Sequence, residues 1–245
     1  MRLVLVEALT FATRLARRRL VWTTLGLDAA ALAWLVVVAP AGSPRAAFAA
    51  AQGLGALTVL VLASGCVADD RSAARLALGA THPAPRSAWI VGRWLAVASG
   101  AAAVAVVTGV VAAWAGPGAR APGALTLGAA ASAMHVGALA ALAVTLSCGA
   151  GGTAQVLVLL GILVIGLVPP AVVAGVFARG WVEPVVRAAW AALPTPWALD
   201  RLQAWALGVE GAHPLLALAL AAQPPLWLAA GARALQQAEL GARSS

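Results

Sequence analysis

The chain has 245 residues, of which 62% are apolar and 10% charged, and its mean hydropathy is +0.93. A soluble domain carries about a quarter charged residues and under half apolar ones, which sets aside a water-soluble enzyme and points to an integral membrane protein. All sixteen basic residues are Arg, so the chain has no Lys-containing phosphate loop for ATP, and its net charge of +8 is read as Arg at membrane-flanking segments rather than as a nucleic-acid surface.

Residues 1–19 come first. On a helical wheel Glu7, Thr10, Arg14, Arg17 and Arg18 share one face, while Leu5, Ala8, Leu9, Ala12, Leu15 and Ala16 share the opposite one. That pattern predicts an N-terminal interfacial helix lying flat at the membrane surface. Ala39-Pro40-Ala41 resembles a signal-peptidase site after an apolar run. The Arg-bearing segment before that run, its near-spanning length and Asp28 within it favour a retained first span.

A lipid-crossing helix needs about 20 apolar residues, because only a helix satisfies its own backbone polar groups there. Six segments qualify, at roughly 20–39, 46–68, 88–115, 124–147, 154–177 and 212–234. The expected fold is therefore all-α and polytopic, one transmembrane domain over 1–245. Residues 20–178 carry spans one to five, 179–210 form an outer amphipathic region, 211–235 form span six and 236–245 a tail. Gly and Pro clusters at 40–44, 116–123 and 149–152 mark short connections. Pro169-Pro170 in the fifth run is read as an ordinary span end.

With the N-terminus inside, eleven Arg residues fall on that side, and Arg45, Arg120, Arg179, Arg187 and Arg201 fall outside. The positive-inside rule then puts both termini in the cytoplasm.

Between spans two and three lies the charged loop 69–87. Asp69 and Asp70 suit the start of a short helix near Arg71, and Gly79 suits its stop before Pro83-Ala84-Pro85. In order, Asp70-Arg71, Leu76, Leu78, Pro83, Arg86, Trp89-Ile90-Val91, Gly92 and Arg93 resemble the loop of permease subunits of type-2 ATP-binding-cassette exporters. Ser72, Ala74 and Arg93 depart from that family's usual acid, Gly and Lys. Residues 182–208 are Trp-rich and Pro-interrupted, too polar to span and too apolar for open water, and predict one or two re-entrant or interfacial helices on the outer face. Pro184, Arg187, Trp190, Pro194, Pro196, Trp197, Asp200, Arg201 and Gly208 resemble the corresponding segment of the same family.

The resemblance implies a transport subunit, not an enzyme. ATP and Mg would sit on a partner ATPase, a second permease subunit would face this one, and no cofactor would be held by this chain. Asp69, Asp70, Arg71, Arg75, Leu76, Leu78, Pro83 and Arg86 would form the ATPase-coupling segment. A haem-exporting permease of cytochrome c maturation shares the six-span pattern, and a non-transporting membrane scaffold is the alternative from another class.

Two ionisable residues inside apolar runs are candidates for the substrate path. Asp28 and His135 each fall roughly 13–17 Å into the core, from opposite faces, at 1.5 Å per residue. An intramembrane carboxylate costs several kcal/mol unless paired, hydrated or protonated, and the two are expected either to line a cavity or to neutralise one another. Cys66 and Cys148 lie outside any Cys-x-x-Cys spacing and read as small buried hydrophobes. No His spacing suits a metal, and no Gly-x-Ser-x-Gly suits a covalent nucleophile.

Overall fold

A computed structural model of the protein describes residues 1–37, 43–64, 66–67, 86–116, 122–177, 180–208, 211 and 213–243, with the side chains of 238–243 excepted. The described residues are all-helical: α1 (Arg2–Ala16), α2 (Arg19–Val37), α3 (Pro44–Ala63), α4 (Arg86–Ala115), α5 (Pro122–Gly149), α6 (Gly152–Ile165), α7 (Pro170–Phe177), α8 (Val182–Ala192), α9 (Pro196–Ala206) and α10 (Pro214–Arg243). Five of them, α2 to α5 and α10, are long and apolar enough to cross a membrane, and the bent pair α6–α7 makes a sixth if counted as one span.

The centre is built by α3, α4 and α5, with α10 packed along α5. Small residues let these helices approach. Phe48 of α3 is fully buried, and a Cβ added at Gly109 of α4 or Gly128 of α5 would sit 2.5 or 2.7 Å from its ring. In lipid, where apolar side chains gain nothing by leaving solvent, such close packing is what joins helices. By contrast α2 buries only Val21 and Asp28, and turns Trp22, Leu25, Leu27, Trp34 and Val37 outward.

Helix α1 packs against the start of α4. Phe11 and Leu15 are buried, whereas Leu5 and Leu9 of the sequence-predicted apolar face are exposed. The stripe toward the bundle is Val4, Glu7, Ala8, Phe11 and Leu15, where Gly92 lets α1 approach, and Leu5 and Leu9 face away from it. A Cβ at Gly92 would meet Glu7 Cβ at 2.7 Å and the Val4 carbonyl at 3.1 Å. The indole of Trp22 donates to the Ala16 carbonyl at 2.7 Å and ties the end of α1 to α2.

The fifth apolar run is not an ordinary span end at its proline pair. Between α6 and α7 the chain turns by 86°. Pro169 and Pro170 cannot donate the next helical hydrogen bonds, and the carbonyls left at the break find donors elsewhere. Trp197 N–H donates to the Gly166 carbonyl at 3.1 Å, and the Trp190 indole donates to the Val168 carbonyl at 2.9 Å. Proline pairs do not break helices by themselves, since Pro224 and Pro225 lie inside α10.

The amphipathic stretch 182–208 forms two short helices, as its composition suggests. Thr195 caps α9, accepting from Ala198 N–H at 3.4 Å with Pro196 at the first helical position. Its hydroxyl donates to the Trp190 carbonyl at 3.0 Å and so locks α9 to α8. Helices α8 and α9 lie at one end of the bundle, while α1 and the C-terminal half of α10 lie at the other.

Candidate functional site

Helix α3 carries a line of polar contacts from one end of the bundle to the other. At its start, Ser43 caps the helix and Pro44 begins it. Arg45 then grips Asp200 of α9 through Nε and a terminal nitrogen, at 2.9 and 2.6 Å. This two-pronged geometry is the strongest form of an Arg–carboxylate pair.

Two turns further on, Gln52 meets His135 of α5 in a short contact between the Gln52 amide nitrogen and His135 Nδ1. The other ring nitrogen, Nε2, lies 3.0 Å from the Pro194 carbonyl. A carbonyl accepts only, so Nε2 carries the proton and donates to Pro194. In the neutral ring Nδ1 is then the acceptor, and the Gln52 amide nitrogen is its donor. The Gln52 carbonyl oxygen is consequently turned away from His135, and it is buried with no hydrogen-bond partner. Nearby, the Gln203 amide of α9 donates to Ser132 Oγ of α5 at 3.1 Å.

These groups stand at the back of a groove between α3, α6 and α9 with a volume of about 510 Å³. Ala49, Gly53 and Leu57 of α3 and Leu160, Leu163 and Val164 of α6 form its apolar sides, and Gln52, His135 and Gln203 supply polarity. The pattern of mostly apolar walls with a few convergent polar groups is that of a ligand site. Asp200 lines the groove as well, its charge met by Arg45.

Asp28 does not join this cluster. Thr58 of α3 donates to its carboxylate at 2.9 Å and also lies 2.9 Å from the Leu54 carbonyl. Thr58 follows Gln52 by six residues, about 9 Å along the helix axis. Asp28 and His135 therefore do not neutralise one another. His135 lines the groove, and Asp28 lies on the seam between α2 and α3.

The far end of α3 is held by side chains from four places. Gln155 of α6 donates to the Ala63 and Ala143 carbonyls, each at 2.9 Å, and Arg18 donates to the Ser64 carbonyl at 3.3 Å. Ser147 of α5 accepts from Val67 N–H at 2.7 Å, and Arg93 of α4 donates to the Cys66 carbonyl. The Arg93 guanidinium lies between two rings, 4.6 Å from the centre of Phe11 and 3.8 Å from that of Trp89. It is 3% exposed, a burial for which the weakly hydrated, stacking guanidinium is suited and a Lys ammonium is not. Cys66 and Cys148 are both buried thiols, as expected of small hydrophobes.

Of the expected coupling residues, Asp69, Asp70, Arg71, Arg75, Leu76, Leu78 and Pro83 lie outside the described residues. Arg86 is the first residue of α4. The structure thus describes the residues from which the charged loop leaves and to which it returns. Gln52, Gln203, Ser132, Gln155 and the pairing of Arg45 with Asp200 were not singled out by sequence reasoning, although Gln52, Ser132 and Gln155 are polar interruptions of apolar stretches and Asp200 belongs to the family-like segment. Among the described residues no three His, Cys, Asp or Glu side chains come together as a metal set. No family model matches the chain, and no curated relative is found for it.

Proposed function

We propose that this chain is the permease subunit of an ATP-driven ATP-binding-cassette exporter. The carrying observation is the anchoring of residues 63–67. Helices α4, α5 and α6 and the α1–α2 junction all grip the segment from which the charged loop departs. A displacement of that loop reaches four helices at once, and through α3 it reaches the groove and the outer helices. A partner can bias a conformational equilibrium only through a contact that differs between two states, and such a root supplies one.

In this reading ATP and Mg act on a separate ATPase, consistent with a chain that has no Lys. Residues Asp69 to Arg86 seat on that ATPase, α1 braces the start of α4, and a second permease copy completes the path. The Arg distribution supports both termini in the cytoplasm, and the family resemblance implies a bacterial inner membrane.

The test is co-expression with candidate ATP-binding-cassette ATPase subunits from the same genome. The pair co-purifies, and Arg71→Glu with Arg75→Glu abolishes the complex while leaving the permease monodisperse. Cargo movement in vesicles by the permease without any ATPase, or labelling that puts residues 69–86 outside the cell, overturns the reading. A permease that binds a soluble partner lacking a phosphate loop instead favours a scaffold.

A further inference from the structure

We propose that the groove between α3, α6 and α9 binds a single-chain amphiphile with a neutral hydroxyl head group, whose proton is accepted by Gln52. The proposal deepens the transport reading by naming a class of cargo, and its purpose rests on that reading, although the binding does not. Three observations carry it.

The first is the orphaned oxygen. The Pro194 carbonyl requires a proton on His135 Nε2, which commits the Gln52 amide nitrogen to Nδ1 and leaves the Gln52 oxygen without a donor. An unsatisfied buried carbonyl costs about 1–3 kcal/mol, and native structures retain few of them. Gln52 is 5% exposed and forms part of the groove wall. A hydroxyl brought to that wall, with a small movement of the amide, supplies the missing donor.

The second is charge. Asp200 is the one charged side chain on the wall among the described residues, and Arg45 already holds it by two bonds. An anionic head group meets a wall whose one charge is a carboxylate, and a cationic one must share Asp200 with Arg45. A neutral donor meets neither penalty.

The third is shape. The groove's volume of about 510 Å³ falls within the ~300–1,000 Å³ of small-molecule sites. Leu57 and Leu160 at its sides are 52% and 45% exposed, so the groove opens laterally, where an alkyl chain enters from lipid. Gln155 joins α6 to the end of α3 at Ala63, which closes the groove at that end and leaves the polar cluster near the other.

The probe is a long-chain alkanol with a diazirine in mid-chain, compared with its methyl ether, which has the same chain and no donor. Both are photolysed with the purified full chain in lipid nanodiscs and no ATPase present. The alkanol labels peptides covering residues 49–60 and 157–167 about fivefold more than the ether, the worth of one net neutral hydrogen bond. Gln52→Leu removes that preference. Leu57→Trp, which fills the groove away from the polar cluster, blocks both probes and serves as the readout should Gln52→Leu misfold.

Equal labelling by alkanol and ether, label distributed equally over the exposed face of α2, or labelling unchanged by Leu57→Trp overturns the proposal. Failure of co-purification with an ATPase removes the transport reading and leaves this site standing. Equal labelling removes the site and leaves the transport reading.

Discussion

Arg45 and Asp200 are separated by 155 positions in sequence and joined by two hydrogen bonds. Their side chains are 36% and 46% exposed, so solvent screens the pair and its coupling is about 0.5–1 kcal/mol. Arg45→Asp and Asp200→Arg each lower the unfolding temperature by about 1–3 °C, and the swapped double variant recovers most of the loss. A thermal double-mutant cycle on the detergent-solubilised protein measures this. Additive losses exclude the pair as a structural link between α3 and α9.

His135 bridges α3 to the segment entering α9 through two different ring nitrogens. Gln in its place reproduces the Nε2 donor to Pro194, whereas Asn reproduces only the Nδ1 position. In a background lacking Cys66 and Cys148, Thr195→Cys is slow to react with an aqueous maleimide, since Thr195 is 2% exposed. His135→Gln leaves it slow, and His135→Asn or His135→Ala raises the rate roughly tenfold, the kinetic reading of about 1.4 kcal/mol. Equal rates in all four backgrounds show that the Pro194 bond does not hold the outer segment.

Arg93→Ala removes a buried stack on two rings and a donor to the Cys66 carbonyl, and destabilises the protein by about 2–3 kcal/mol. Arg93→Lys keeps the charge and loses the planar stack, and falls between. Hydrogen exchange at residues 64–67 reports the same order, fastest in the Ala variant. Unchanged exchange there contradicts the anchoring role.

Gly92→Leu drives a side chain into the backbone of α1 and costs about 1–3 kcal/mol by overpacking. The effect is local. Exchange rises across residues 2–16 while the α3–α5 centre stays protected.

Asp28→Asn preserves an acceptor for Thr58 and changes stability by less than about 1 kcal/mol, while Asp28→Leu leaves the hydroxyl only its own-helix partner and costs about 1–2 kcal/mol. Transport and assembly unchanged by Asp28→Asn remove Asp28 from the substrate path.

Much of the architecture was legible because lipid leaves a backbone few choices. Runs such as 88–115 and 124–147 declare themselves by apolar length alone, and the Trp-rich stretch 182–208 announced short helices by being neither span nor loop. The bend after Ile165 was not legible, because it depends on donors from Trp190 and Trp197 that arrive later in the chain. The groove was hidden for a similar reason. Gln52 is a single polar residue in an apolar run and Gln203 lies in an amphipathic segment far along the chain, and only helix packing brings them beside His135. Which stripe of α1 meets the bundle was not legible either, because it depends on a glycine of a neighbouring helix.

Helix α6 has 14 residues, about 21 Å of rise at 1.5 Å each, against a hydrocarbon layer near 30 Å. With α7 turned by 86°, this flank of the bundle cannot match the full bilayer. Such a mismatch costs a fraction of a kcal/mol per ångström and is met by thinning of the adjacent lipid, by snorkelling of flanking side chains or by helix association.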